Sequence, residues 1–130
     1  MNAPQRHARL FIVDDSRVIQ QLLGDMFGEM PGVDIVGRAE TAQEAIDGIL
    51  TTRPDCVLLD MQLKQGDGMD VLHAVHPKAP EIVFLVMTNN EGERYRRACM
   101  AAGACHFLDK TNEFSKIRYV IDGLDLSGSR

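Results

Sequence analysis

Four short apolar segments punctuate the chain, at Leu10 to Val13, Cys56 to Leu59, Ile82 to Met87 and Cys105 to Leu108, with a fifth candidate at Val33 to Val36. The strongest of them lack a clean in-and-out alternation, which is the pattern of strands buried on both faces of a parallel sheet. Between them the apolar spacing changes to that of helices. Val18, Leu22, Met26 and Met30 recur every four residues beside Ile19, Leu23 and Phe27, predicting one apolar face behind Ser16 as N-cap. Thr41-Ala42-Gln43-Glu44 has the form of a capping box, followed by the stripe Ala45, Ile46, Ile49 and Leu50. A shorter helix is expected over Gly68 to His76, with Met69, Leu72 and Val75 on one side and Pro77 and Pro80 stopping it. Tyr95, Ala98, Cys99 and Ala102 line a fourth helix ending at Gly103, and Phe114, Ile117, Val120, Ile121 and Leu124 line a last one.

Strand and helix thus alternate five times with short connections, which predicts an α/β fold with an open, doubly wound, parallel five-stranded sheet. Composition narrows the class further. A chain of 130 residues, 45% hydrophobic and 25% charged, suits a single globular domain with its own core and is too apolar for a disordered one. The net charge of −5 argues against a nucleic-acid surface, because phosphate binding depends on Lys and Arg displacing counterions. No apolar run approaches the roughly 18 residues of a membrane span, and the N-terminus MNAPQRHAR has no signal-peptide pattern. Cys56, Cys99 and Cys105 form no CxxC pair and are odd in number, so a cytoplasmic location with reduced thiols is expected.

In open α/β sheets ligands bind beyond the carboxyl ends of the strands. The first strand here delivers Asp14 and Asp15, the third Asp60 and the fourth Thr88, while Lys110 follows the fifth. Taken singly, each has an ordinary structural explanation: acidic residues after strands form turns or caps, Thr88 caps the next helix, and Lys110 is solvated. Jointly they bring three carboxylates, a hydroxyl and an ammonium to one sheet edge. Three neighbouring carboxylates repel, and a hard divalent cation such as Mg²⁺, with oxygen ligands only, resolves that repulsion. Zinc is disfavoured, since His73 and His76 lack further ligands at metal spacing and suit a polar helix surface. Neither GxxxxGK[ST] nor GxGxxG is present, so ATP and NAD fit poorly. A carboxylate is itself a competent nucleophile toward phosphorus, and Asp60 ends the most buried-looking strand, PDCVLLD.

The motifs LFIVDDS, RPDCVLLDMQL, the Asp67-Gly68 pair, VMTN and AAGACHFLDK resemble, in order and spacing, the receiver domain of two-component response regulators, from Leu10 to Leu124. The resemblance implies a flavodoxin-like (βα)5 sheet of order 2-1-3-4-5, with residues 1–9 as an N-terminal extension, 10–124 as the receiver and 125–130 as a flexible tail. It implies that Asp60 accepts a phosphoryl group from a histidine kinase or phosphotransfer protein. Asp15, Asp60 and the backbone carbonyl of Gln62 would ligate Mg²⁺, or Mn²⁺ in its place, with Asp14 acting through a ligand water. Lys110 would pair with the phosphoryl group, Thr88 would move toward it, and Phe107 would be the aromatic switch. The implied role is a signalling switch rather than an enzyme. Its output would pass to a downstream protein or an effector domain, or through a homodimer across the fourth helix, fifth strand and fifth helix, where Arg94, Tyr95, Arg118 and Tyr119 lie.

Two other readings compete. One is a receiver-like binding module independent of phosphorylation, which would have no reason to retain all five site groups. The other is a phosphohydrolase, which would want an acid/base carboxylate two residues beyond Asp60, where Gln62 stands. The chain also departs from the family pattern. Lys64 and Thr111 occupy the places of two customary prolines, so a less rigid loop is expected after the third strand. Asn89 replaces a small residue, and Cys105 and His106 replace acidic ones of the DNA-binding winged-helix subclass.

Overall fold

A computed structural model describes residues 8–88, 93–109, 117 and 121. Strands β1 (Ala8–Val13), β2 (Val33–Ala39), β3 (Cys56–Asp60), β4 (Val83–Thr88) and β5 (Ala104–Asp109) alternate with helices α1 (Arg17–Gly28), α2 (Ala42–Thr52), α3 (Gly68–Val75) and α4 (Glu93–Ala101). All four strand pairs are parallel, in the order β2-β1-β3-β4-β5. The predicted open doubly wound sheet is therefore present. Ile117 and Ile121 are helical and buried, as expected of the last helix, while the other positions assigned to it lie outside the described residues.

Because successive side chains of a strand point to opposite faces, each central strand feeds two cores. Phe11, Val13, Val57, Leu59, Phe84 and Val86 pack with residues of α2, α3 and α4. Leu10, Ile12, Cys56, Leu58, Leu85 and Met87 pack with Leu23 and Phe27 of α1 and with Ile117 and Ile121. Every residue of β3 is buried, which explains why its sequence lacks alternation. On the first face the ring of Phe11 fills a slot between two glycines. A Cβ placed on Gly37 of β2 or Gly48 of α2 would come within 2.4 Å or 2.6 Å of that ring.

Several local expectations need correction. The apolar face predicted for α1 is too wide: Leu23 and Phe27 are buried, whereas Val18 is 68% and Leu22 48% exposed. At 3.6 residues per turn, a helix covering one side of a sheet buries a stripe, and these two residues fall beyond its margin. Strand β2 continues three residues past Val36, paired with β1 through Ala39, and Ile82 precedes β4 rather than starting it. In the Thr41 cap, Thr41 Oγ1 accepts from the Glu44 N–H as predicted. The Glu44 carboxylate, however, accepts from the N–H of Glu40, one residue before the cap. A reciprocal capping box forms instead at α3, between Asp67 and Asp70. On α4, Cys99 is buried but Ala98 is exposed.

Candidate functional site

Val13 of β1 lies opposite Leu59 of β3, so Asp14 and Asp60 leave the sheet at the same edge and height. Asp60 in turn lies opposite Met87, which places Thr88 one residue beyond it on the neighbouring strand. Asp14, Asp60 and Thr88 are 0%, 4% and 2% exposed, the only buried polar or charged side chains among the described residues. Asp15 is half-buried. One carboxylate oxygen from each of Asp14, Asp15 and Asp60 lies within 4.8 Å of the others.

The backbone holds this cluster in place. The Asp14 N–H donates to the Ala39 carbonyl at 3.0 Å, continuing the β1–β2 pairing. Ser16 then ends the extended segment: its Oγ caps α1 by accepting from the Ile19 N–H at 3.2 Å, and its own N–H donates to Asp14 Oδ1 at 2.8 Å. Gln20, one turn into α1, donates from Nε2 to the carbonyls of both Asp14 and Ala39. On β3, Asp60 Oδ1 accepts from the Gln62 N–H at 3.1 Å, and Gln62 pairs with Asp67 in an isolated antiparallel bridge. Gln62 is thus fixed next to the cluster by its own backbone.

Burying two carboxylates with a third beside them is unfavourable unless positive charge balances them. Oxygen donors alone, at spacings that a small ion spans, fit a hard divalent cation, so the donor set suits Mg²⁺ or Mn²⁺. The carboxylates predicted to meet do meet, and Thr88 stands at the same edge. Phe107, on β5 opposite Val86, is half-buried and packs against the first core. Lys110, Asn89 and Thr111 lie outside the described residues, as do Arg118, Tyr119 and the side chains of Arg94, Tyr95 and Cys105. His73 and His76 line a groove of about 460 Å³ between α3 and α4, away from the carboxylates. There the buried Nδ1 of His76 has no hydrogen-bond partner among the described residues. A histidine that binds a metal through one nitrogen ordinarily has the other hydrogen-bonded, so this pair makes a poor metal site.

Two contributors escaped the sequence. Gln20 resembles any polar residue on a helix, and its role depends on β2 lying beside β1. Glu40 is tied to Lys64, twenty-four residues away, in the loop after β3. Lys64 also donates its N–H to the Glu40 carbonyl at 3.2 Å, so that loop is anchored despite lacking its customary proline.

Residues 10–122 match the family model described as response regulator receiver domain. The chain belongs to that family, a phospho-accepting signalling module. It is 28% identical over 110 residues to a protein-glutamate methylesterase/protein-glutamine glutaminase of Desulfotalea psychrophila, covering 83% of this chain and 30% of that protein. It is 29% identical over 102 residues to the DNA-binding transcriptional activator DevR/DosR of Mycobacterium tuberculosis, covering 78% and 47%. The chain therefore spans less than half the length of these curated relatives. Among solved structures, a LuxR-family response regulator from an Aurantimonas species superposes with a TM-score of 0.85 at 24% identity, covering 95% of this chain and 88% of that one. The response regulator domain of Thermotoga maritima CheB gives 0.81 at 23%, covering 90% and 92%. Among the described residues no helix is long and apolar enough to cross a membrane.

Proposed function

We propose that this chain is switched by phosphorylation of Asp60, with the phosphoryl group arriving from a phosphohistidine on a histidine kinase or phosphotransfer protein. The observation that carries this is the buried Asp60 carboxylate, at the end of β3, with the Asp14 and Asp15 carboxylates within 4.8 Å and Thr88 beside it on β4. Asp14, Asp15, Asp60 and the Gln62 carbonyl would hold Mg²⁺. When bound, the ion offsets the charge of the carboxylates and of the phosphoryl oxygens.

The Gln62 N–H orients Asp60 by holding Oδ1. A carboxylate oxygen of Asp60 forms its bond to phosphorus as the phosphorus–nitrogen bond breaks. The electron pair of the broken bond stays on the imidazole, which leaves neutral when its other nitrogen carries a proton. Thr88 and Lys110 then meet the phosphoryl oxygens with a hydroxyl and an ammonium, and Phe107 follows Thr88. Asp15, the most exposed of the three acids, marks the open side of the cluster. Val18 and Leu22 of α1, exposed a few residues further on, give the donor protein an apolar foothold beside it. The output passes by protein contact, to a separate partner or to an effector segment of the same polypeptide.

Intact mass after incubation with acetyl phosphate and Mg²⁺ tests the assignment. The wild type gains one phosphoryl group and Asp60→Asn gains none; an equal gain in the variant would place the acceptor elsewhere.

A further inference from the structure

The loop after β3 carries Gln62, and the structure ties that loop to the segment after β2, where Glu40 makes both a side-chain and a backbone contact with it. The Lys64 ammonium donates to Glu40 Oε1, and the Lys64 N–H donates to the Glu40 carbonyl. One residue on, the Gln65 carbonyl accepts from the Ala42 N–H at 2.9 Å. Next comes Gly66, at φ +76, where a Cβ would stand 2.6 Å from that of Ala42. Glu40 is also bound back into the site: its predecessor Ala39 receives the N–H of Asp14, and its own N–H is held by Glu44. The second carboxylate oxygen of Glu40 lies 3.5 Å from Arg17 Nε. Glu40 is the least exposed of the three charged partners, with its side chain 25% accessible against 52% for Lys64 and 87% for Arg17.

We propose that Glu40 is a positioning residue for the phosphoacceptor site: with Lys64 it clamps the loop after β3, standing in for the missing proline, and so fixes Gln62 beside Asp60. This rests on reading Asp14, Asp15, Asp60 and the Gln62 carbonyl as the divalent-cation site. A proline restrains a loop by limiting its backbone; this clamp restrains it by fastening the loop to β2 across the intervening strand β1.

The clamp is distinguishable from a simple charge effect, because the two partners carry opposite charges. Were they only distant charges, Glu40→Gln would weaken cation binding and Lys64→Met would tighten it. As a clamp, loss of either partner weakens it. Mn²⁺ titration of the full chain, followed by the electron paramagnetic resonance of free Mn²⁺, should show Kd raised about two- to fivefold in both variants, the range in which exposed ion pairs act. Hydrogen exchange of the Ala42 and Lys64 amides, without metal, should accelerate in both, while Arg17→Ala leaves it unchanged.

Unchanged exchange in Glu40→Gln and Lys64→Met would overturn the clamp. Faster exchange with unaltered affinity, or affinities moving in opposite directions, would overturn its link to the site. A wild type that binds no Mn²⁺ would overturn the cation-site reading and with it the clamp's role there, while the exchange measurement still decides whether the loop is clamped.

Discussion

The Sγ of Cys99 lies 3.8 Å from the Sδ of Met61, the residue that directly follows Asp60. Both side chains are almost wholly buried, so the end of β3 touches the inner face of α4 through two sulfur atoms. Burial, and secondarily the Asp67 carboxylate, push the Cys99 thiol above its ordinary pKa. The reactive thiolate is therefore scarce as well as covered. Iodoacetamide at pH 8 should label Cys99 slowly in the native protein and rapidly in urea, read by peptide mass. Met61→Ala should remove the contact and destabilise the fold by about 2–5 kcal/mol, measured by urea unfolding.

If Mg²⁺ binds the carboxylate cluster of the folded chain alone, it stabilises the fold by RT ln(1 + [L]/Kd), about 2.7 kcal/mol at a hundredfold excess over Kd. The melting temperature of the wild type should rise with Mg²⁺, and Asp15→Ala should abolish that rise. The same variant relieves repulsion among three acids, so its metal-free melting temperature should equal or exceed that of the wild type. Coincident wild-type melting curves with and without saturating Mg²⁺ would refute the cation site.

Val18 and Leu22 are exposed, so changing them to polar residues should alter stability by no more than about 0.5 kcal/mol. If they receive the phosphodonor, Leu22→Lys should slow phosphotransfer from a phosphohistidine protein. The rate with acetyl phosphate, which needs no docking surface, should stay at the wild-type value. Equal slowing with both donors would show damage to the site itself instead.

The hydrogen bond from Lys64 holds the Glu40 carboxyl below the ordinary value of 4.5, against a smaller opposing effect of desolvation, with the charges of Lys64 and Arg17 assisting. A carboxyl whose pKa is lower in the folded than in the unfolded chain adds stability that is complete above the unfolded value. That stability is lost as pH falls through the folded one. The difference in urea midpoint between wild type and Glu40→Gln should therefore be constant from pH 7 to about 5 and shrink below it. Added salt should shrink it too, since the pair is partly exposed.

The fold was legible because the period of the apolar positions changes from strand to helix, and β3 shows its burial as the unbroken run Cys56 to Leu59. The acidic site was legible because strand ends are sequence positions: once β1 and β3 are placed, Asp14 and Asp60 share an edge. What stayed hidden depends on order across the sheet. Nothing near Glu40 or Lys64 marks them as partners, since their meeting requires the loops after β2 and β3 to reach each other past β1. The exposed side of α1 was hidden for a different reason. Apolar spacing reports which residues lie near one face, and a contact stripe narrower than that face leaves Val18 and Leu22 outside.

Phe11 and the two glycines around its ring amount to one volume divided among three positions in the chain. Alanine at Gly37 or Gly48 alone forces its Cβ into the ring, while a smaller residue at position 11 alone opens a void. Neither single step is tolerated well, yet the same atoms redistributed among the three positions would fill the same space. Substitutions at 11, 37 and 48 should therefore be inherited together, so that an aromatic residue at 11 accompanies glycine at both other positions. Any recombination joining β1 from one receiver to β2 and α2 of another must respect that linkage.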